Sequence, residues 1–484
     1  MKPRTVFVFL LAVAVLRCGW VAMQAIAPQE AYYLMCSERL APAFFDGPPG
    51  TAVLVGALGR VGPAPLETAR FAWPVLALVA GLLAWALARA VYDEPVAAWA
   101  VVWLNALPGF NLEAVTVGPA MPALVLVLAG SWMARIAWNG RRIFWGAAGA
   151  CFALAVVFRY EALLVPVGIL AAALASPRHR TPRDLAGLAT IGFLVAIALV
   201  GPAVWNASLE WIPVAGGTLR TAWSLRPSGC ARQLWAFLSA FSLPAGLVVL
   251  AGLAAMVRDS RLHGRPRFLL ALCGPAWLWW LYCTLRGEDA GTTALLGAVP
   301  VLISVAASCR QWVWAPAAAS AVIAIALASS GAALWCTSQE RAQWPVLARE
   351  FQSAAGEIPA GDKEGFFIAE DPDLAAVLGY YLGHGRNAAS PPVFVPESPD
   401  LASQFGIWPS YADFIESAQV VDEFFTEQKG VNPFVGRSAL FIGTELPQTI
   451  DGAFASVAPL RRIRLPDGRE FTVFLCLDYQ TLPL

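Results

Sequence analysis

Pro28-Gln29-Glu30-Ala31-Tyr32-Tyr33-Leu34-Met35-Cys36-Ser37-Glu38-Arg39-Leu40-Ala41-Pro42-Ala43-Phe44-Phe45-Asp46-Gly47-Pro48-Pro49-Gly50 is the stretch around which this chain is organised. It follows residues 5–26, an apolar run of about 22 residues that is long enough to cross a bilayer. A plain connector at a membrane interface needs little chemistry. This one crowds Gln29, Glu30, Glu38, Arg39 and Asp46 beside Tyr32, Tyr33, Phe44 and Phe45, with a rigid Pro48-Pro49 corner. Acids, an arginine and aromatics in one loop read as a site rather than a hinge.

Working outward, the composition agrees with a membrane setting. Hydrophobic residues make up 58% and charged residues 14%, and the mean hydropathy is +0.61. A soluble domain is about half apolar and a quarter charged, so the chain reads as a polytopic membrane protein whose first partner is the bilayer. A net charge of zero lacks the basic face that a nucleic-acid partner requires. The nine cysteines are scattered without a C-x-x-C pair and read as small core residues. His179, His263 and His384 are too dispersed for a zinc site or a triad, so neither metal nor cofactor is expected.

Further spans are predicted near 66–91, 95–110, 115–137, 143–158, 161–175, 185–204, 234–256, 267–285, 293–309 and 312–335. Together with the first run this makes about eleven transmembrane helices. Lys2 and Arg4, then Arg89, Arg135, Arg141, Arg142, Arg178, Arg180, Arg183, Arg258, Arg261, Arg265, Arg267 and Arg310, all fall in alternate loops. The positive-inside bias puts those loops in the cytoplasm. An odd number of crossings then leaves everything after residue 336 outside. A cleaved signal peptide is the alternative for the first run, because Ala25-Ile26-Ala27 resembles a cleavage site. Arg17 inside the run and Pro28 just after the cut favour a retained anchor.

The composition shifts near residue 340, which divides the chain into a transmembrane domain, 1–338, and a small extracytoplasmic α/β domain, 339–484. In the second, Phe366–Ala369, Pro392–Val395, Ala439–Ile442 and Phe471–Leu475 read as strands. Asp371–Leu382 and residues 411–428 read as helices. No Gly-rich phosphate loop and no nucleophile elbow occurs.

Each outer loop carries polar residues beyond what a connector needs. Asn111, Glu113 and Thr116 lie at a helix mouth. Arg159-Tyr160-Glu161 sit between two short apolar helices, where ionisable groups are costly and usually functional. Trp205, Asn206 and Trp211 follow another span, and Arg286, Glu288 and Asp289 a later one. Gathered in one outward-facing cavity, the arginines suit a phosphate, the carboxylates a proton to be removed, and the tryptophans a sugar face. Residue by residue there are plainer readings: interfacial belt aromatics for Tyr32, Tyr33, Trp205 and Trp211, a structural ion pair for Arg159 and Glu161, and a helix cap for Asp46.

Glu30-Ala31-Tyr32-Tyr33 followed by Phe45-Asp46-x-Pro48-Pro49 resembles the first outer loop of bacterial polyprenyl-phosphate-sugar glycosyltransferases. These are C-type enzymes related to protein O-mannosyltransferases and to the lipid A aminoarabinose transferase. Arg159-Tyr160 stands at that family's Lys-Tyr, Trp205-Asn206 with Trp211 at its W-N-x-x-x-x-W, and Ser403-Gln404-Phe405-x-x-Trp408 at its S-Q-[FY]-x-x-W. The resemblance implies a many-helix inner-membrane enzyme with an extracytoplasmic C-terminal domain. Such an enzyme moves a sugar, with inversion, from a polyprenyl-phosphate carrier to a lipid, glycan or protein acceptor. It also exposes departures. Gln29 occupies the position of the expected base, Ala120 that of a second acid, and an Asn-Trp pair is missing near Arg286.

The resulting expectation makes Glu30 and Asp46 the catalytic acids and gives the donor phosphate to Arg159 and Arg286. Gln29, Tyr33, Glu113, Trp205, Asn206 and Trp211 line the substrate pocket, and Glu113 is a stand-in for the lost acid. The rival readings are a catalytically degenerate relative that binds lipid-linked glycan or supports a partner enzyme, and a transporter. The last would call for two similar halves, which the sequence lacks.

Overall fold

The computed structural model describes residues 3–480 apart from 63–64, 177–180, 215–226, 261–262, 287–292, 310–314, 359–364, 384–389, 399–400, 414 and 417–429. The chain forms two compact units: residues 1–23 with 41–337, and residues 24–40 with 338–484.

The first unit is a helix bundle, and the chain is a multi-pass membrane protein. Helices occupy each of the eleven predicted segments. Among the described residues, six helices are long and apolar enough to cross a membrane, seven if a sharply bent pair is taken as one span. Gly50–Gly59, Phe144–Phe158, Tyr160–Ala175 and Thr293–Ser308 are apolar but shorter. Pro182–Ser208 has 27 residues, about 40 Å at 1.5 Å per residue, against a hydrocarbon core of about 30 Å. Its outer stripe of Phe193, Ile197, Val200 and Val204 is exposed, while Leu188, Ile191 and Val195 are buried. Large apolar side chains facing outward at helical spacing are what lipid, not water, would cover.

Local chemistry sets the helix starts. Asp93 and Thr181 are N-caps accepting from the Val96 and Asp184 amides, each with a proline in the first turn. Close crossings use missing side chains: a Cβ on Gly168 would meet the Ala271 carbonyl oxygen at 1.9 Å. The predicted span 234–256 is corrected. Gly229–Phe241 and Leu243–Asp259 meet at a bend of 101°. Ser242 there takes φ +63°, and Pro244 in the next helix's first turn has no amide hydrogen to continue the ladder.

Arg17 ties Pro3–Met23 into the bundle. Its guanidinium donates to Asn111 Oδ1 at 2.6 and 3.2 Å and to Asn105 Oδ1 at 3.1 Å, and it lies 5.0 Å from the Phe110 ring. Asn111 in turn donates to the Asn105 and Leu107 carbonyls and to Ser330 Oγ. No carboxylate pairs with Arg17 among the described residues. Its charge rests instead at the C-terminal, negative end of Glu94–Ala106. The first helix is thus an integral part of the bundle.

The second unit is an α/β assembly around a four-stranded sheet. Phe366–Ala369 pairs in parallel with Ala439–Gly443, which pairs antiparallel with Glu470–Tyr479, which pairs antiparallel with Phe454–Arg464 at the edge. The core contains Phe366, Tyr411, Phe441 and Tyr479. Asp371 caps Pro372–Leu382 by accepting from the Leu374 amide at 2.8 Å, as expected. The predicted strand at 392–395 is only a bridge between Ile368 and Phe394. In the predicted helix 411–428, Ile415–Glu416 instead pairs with Gly430–Val431, and residues 417–429 lie outside the described residues. Pro28–Glu38 packs on Pro372–Leu382: Arg39 donates to the Ser390 carbonyl at 2.8 Å, and the Ile26 amide to the Tyr381 hydroxyl at 3.1 Å.

Candidate active site

In the first unit the site forms where Phe144–Phe158 ends. Arg159 leaves the helix in an extended conformation, φ −157° and ψ 123°, and a single 3-10 turn, Tyr160–Leu163, restarts the chain. The break turns the Arg159 guanidinium back onto Glu161, with Nε and Nη2 donating to the two carboxylate oxygens at 3.1 and 3.3 Å. Arg159 is 9% exposed, so the cation is poorly hydrated and held in place, while Glu161 is half-buried.

Glu113 ends the short helix Pro108–Glu113, beyond the preceding span. Its packed surroundings push the carboxyl up from the ordinary value to about 7, and the nearby positive charge of Arg159 partly opposes this. An acid that titrates near neutrality beside a fixed cation can hold or release a proton under working conditions.

Two further segments converge on this region. The Tyr160 hydroxyl lies beside Asn206, although neither it nor Asn206 Oδ1 has a well-formed hydrogen bond. Asn206 donates to the Pro202 carbonyl at 2.8 Å. Directly after it, Pro182–Ser208 closes with the Trp211 amide on the Asn206 carbonyl at 2.8 Å and the Glu210 amide on the Ala207 carbonyl at 3.2 Å. This is a Schellman closure, which wants glycine in its left-handed position. Glu210 and Trp211 occupy φ +54° and +61° instead. Such strain collects at sites whose surroundings over-determine the backbone. Trp211 is exposed and Trp205 half-buried.

Asp46 is exposed on a tight turn in which Phe44 and Gly47 exchange backbone hydrogen bonds of 2.8 and 3.1 Å. Gly50, four residues on, presses against the end of Phe144–Phe158; a Cβ there would meet the Val157 carbonyl oxygen at 2.6 Å. The Pro48-Pro49-Gly50 corner therefore abuts the turn that carries Arg159. Arg286, also buried, donates to the Tyr282 hydroxyl at 2.6 Å and stacks on that ring. Glu288 and Asp289 lie outside the described residues. Ala120 is buried at the start of Ala120–Trp138.

The second unit holds the first-loop residues. Gln29 is exposed in the first turn of Pro28–Glu38. Glu30, one residue on, is fully buried. Its Oε2 accepts from the Ala27 amide at 3.0 Å and lies 3.6 Å from Arg341 Nη1. Glu30 thus caps its own helix and neutralises a buried arginine, so the structure gives this expected base a structural occupation. Tyr33 packs against Tyr32 at 5.6 Å with the rings tilted by 60°, and Tyr32 lies 6.3 Å from Trp408. Trp408 also lies under the Arg39 guanidinium at 5.4 Å. The Glu-Ala-Tyr-Tyr and Ser-Gln-Phe-x-x-Trp motifs, some 370 residues apart, are therefore one packed cluster.

Sequence reasoning missed Arg341 as the partner of Glu30, and Asn105 and Ser330 as partners in the Arg17 network. An arginine within an apolar run is the signal that points to the latter. Among the described residues no group of three or more His, Cys, Asp or Glu is placed to hold a metal ion.

Residues 46–205 match the family model described as dolichyl-phosphate-mannose-protein mannosyltransferase. No curated protein sequence matches the chain. Among solved structures, ArnT from Cupriavidus metallidurans bound to undecaprenyl phosphate is similar over 99% of both chains, at 13% identity and a TM-score of 0.63. The archaeal oligosaccharyltransferase AglB from Archaeoglobus fulgidus, in complex with an inhibitory peptide and a dolichol-phosphate, is similar over 78% of this chain and 64% of its own. Its identity is 12% and its TM-score 0.52. The fold of the whole chain is therefore similar to that of ArnT, and residues 46–205 carry the likeness to the mannosyltransferase family model.

Proposed function

We propose that this chain transfers a sugar from a polyprenyl-phosphate carrier to a lipid, glycan or protein acceptor at the extracytoplasmic face of the cytoplasmic membrane. The observation that carries the reading is Glu113, an acid titrating near neutrality, set against the buried cation Arg159 at a helix break. The matched ArnT and AglB structures hold lipid phosphates, which supports the carrier class. In the reaction the acceptor's O–H or N–H proton passes to Glu113. The acceptor atom bonds to the anomeric carbon, and the carbon–oxygen bond to phosphate breaks on the opposite face. The leaving phosphate gains negative charge, which Arg159 stabilises without reorganisation; Arg286 is a second candidate for that role. Asp46 on its exposed turn, with Trp205, Asn206 and Trp211, orients acceptor and sugar.

The test is release of polyprenyl phosphate by purified protein supplied with lipid-linked sugars from membrane extract. Glu113→Gln is expected to reduce turnover by about 10²–10⁴-fold, the usual worth of general base help. Unchanged turnover in that variant would remove Glu113 from the chemistry.

A second reading is favoured by Gln29, Ala120 and the sequestered Glu30: a relative that binds the carrier without turning it over. Lipid-phosphate binding with no product from any donor, in wild type as in Glu113→Gln, would establish it.

A further inference from the structure

A strongly basic cavity in the first unit lies at the other end of the bundle from the Arg159 turn. Its volume is about 780 Å³, within the range of small-ligand sites. Four guanidinium groups, of Arg135, Arg142, Arg265 and Arg267, line it against one carboxylate, that of Asp184. These residues come from the ends of Ala120–Trp138, Pro182–Ser208 and Gly264–Arg286 and from the turn before Phe144–Phe158, so several separate helices build it.

Among the described residues, only Arg142 has a carboxylate partner. It pairs with Asp184 at 2.9 Å, and Asp184 is itself fixed by Thr181. Arg135 is spread over the Phe268 ring at 5.1 Å and reaches the Ala90 carbonyl at a long 3.4 Å. Arg265 lies over Tyr92 at 5.6 Å, and Arg267 donates to the Ser260 carbonyl at 3.2 Å. These three have rings and backbone carbonyls as neighbours, but no carboxylate pairs with them among the described residues. Arg135 and Arg265 repel each other. Like charges gathered in one cavity are paid for when an anion enters. Trp138 in the wall is the amphipathic residue suited to the headgroup level, and the positive-inside bias puts this end in the cytoplasm. Basic pockets between spans on that side bind anionic headgroups.

We infer that this cavity holds the phosphodiester headgroup of an anionic phospholipid of the cytoplasmic leaflet. The site is separate from the proposed transferase chemistry and does not depend on it. The same guanidinium groups would also accept free phosphate, so the experiment separates the two sources.

Purified protein is placed in nanodiscs of phosphatidylcholine with phosphatidylglycerol, and retained lipid is counted by native mass spectrometry. Arg265→Gln with Arg267→Gln removes two exposed lining charges. Arg141→Gln with Arg258→Gln removes two exposed charges at the same end but outside the cavity. Phosphatidylglycerol is expected to be retained in preference to phosphatidylcholine. The lining pair should weaken it roughly 30-fold, from about 1 kcal/mol per arginine, while the outer pair and added inorganic phosphate leave it in place. Equal loss in both pairs, no preference for phosphatidylglycerol, or displacement by inorganic phosphate would each overturn the inference.

Discussion

Replacing Arg159 by glutamine tests the electrostatics on which the candidate site depends. Glu113 sits near 7 because its surroundings disfavour the carboxylate, and Arg159 is the group pulling the other way. An opposite charge in such a position lowers a carboxyl by about one to three units. Arg159 divides its charge with Glu161, held at 3.1 and 3.3 Å, so Glu113 receives the lower end of that range, about one unit. The sign follows: with the cation gone, ionisation is harder, and the Glu113 midpoint rises by about one unit. Infrared difference spectra recorded against pH read this directly, through the carbonyl stretch of a protonated carboxyl that titrates near neutrality and is lost in Glu113→Gln. If Glu113 removes the acceptor proton, its ionised form is the active one. The acid limb of turnover then moves upward with the infrared midpoint, and the variant loses up to about tenfold at neutral pH beyond its loss of phosphate binding. A carboxyl midpoint that stays put or falls in Arg159→Gln would refute the coupling. The absence of any neutral-range carboxyl in the wild type would refute the site.

Asn111→Ala strips Arg17 of its best acceptor and leaves a buried cation short of partners. Unfolding in denaturant should show a loss of about 3 kcal/mol, with Arg17→Met costing less because it removes the charge outright. Glu210→Gly places glycine where the Schellman closure requires a left-handed residue and should gain about 1 kcal/mol, read as a higher melting temperature. Gly50→Ala would force a Cβ against the Val157 carbonyl at 2.6 Å, costing about 1–3 kcal/mol and lowering turnover through the displaced Arg159 turn. Glu30→Gln should lower stability by removing the buried carboxylate 3.6 Å from Arg341, yet leave the pH midpoint of turnover unchanged. A shifted midpoint would return Glu30 to the chemistry.

Spans were legible wherever the apolar run was longer than the bilayer, because length and composition suffice there. The break at Ser242 was not. Only Pro244 marks it locally, and a proline in a first turn is as compatible with a helix start as with a continuing span. Phe454–Arg464 escaped notice because Pro459 argues against a strand. The structure accommodates it at a register shift between Pro459 and Arg461 on an edge strand, the position where the missing amide costs least. The grouping of residues 24–40 with the C-terminal unit has no local signal at all. It depends on contacts such as Arg39 with Ser390, and no periodicity within either segment reports on the other.

The acids of the site divide along the same line. Glu30 drew attention by standing next to the position where a base was expected, yet its spacing carried another message. It lies three residues after Ala27 and two after Pro28, the place from which a glutamate reaches back to cap a helix start. Ala27 cannot return that bond, so Glu30 makes it alone and takes Arg341 as its counter-charge. Glu113 had no such cue. A lone acid at a helix mouth is most often a solvated group, and what changes it here is burial together with the Arg159 turn, both supplied by segments distant in sequence. An acid's chemistry is set by what surrounds it after folding, and the helix break at Arg159 is legible in the sequence as charged residues between two short apolar runs.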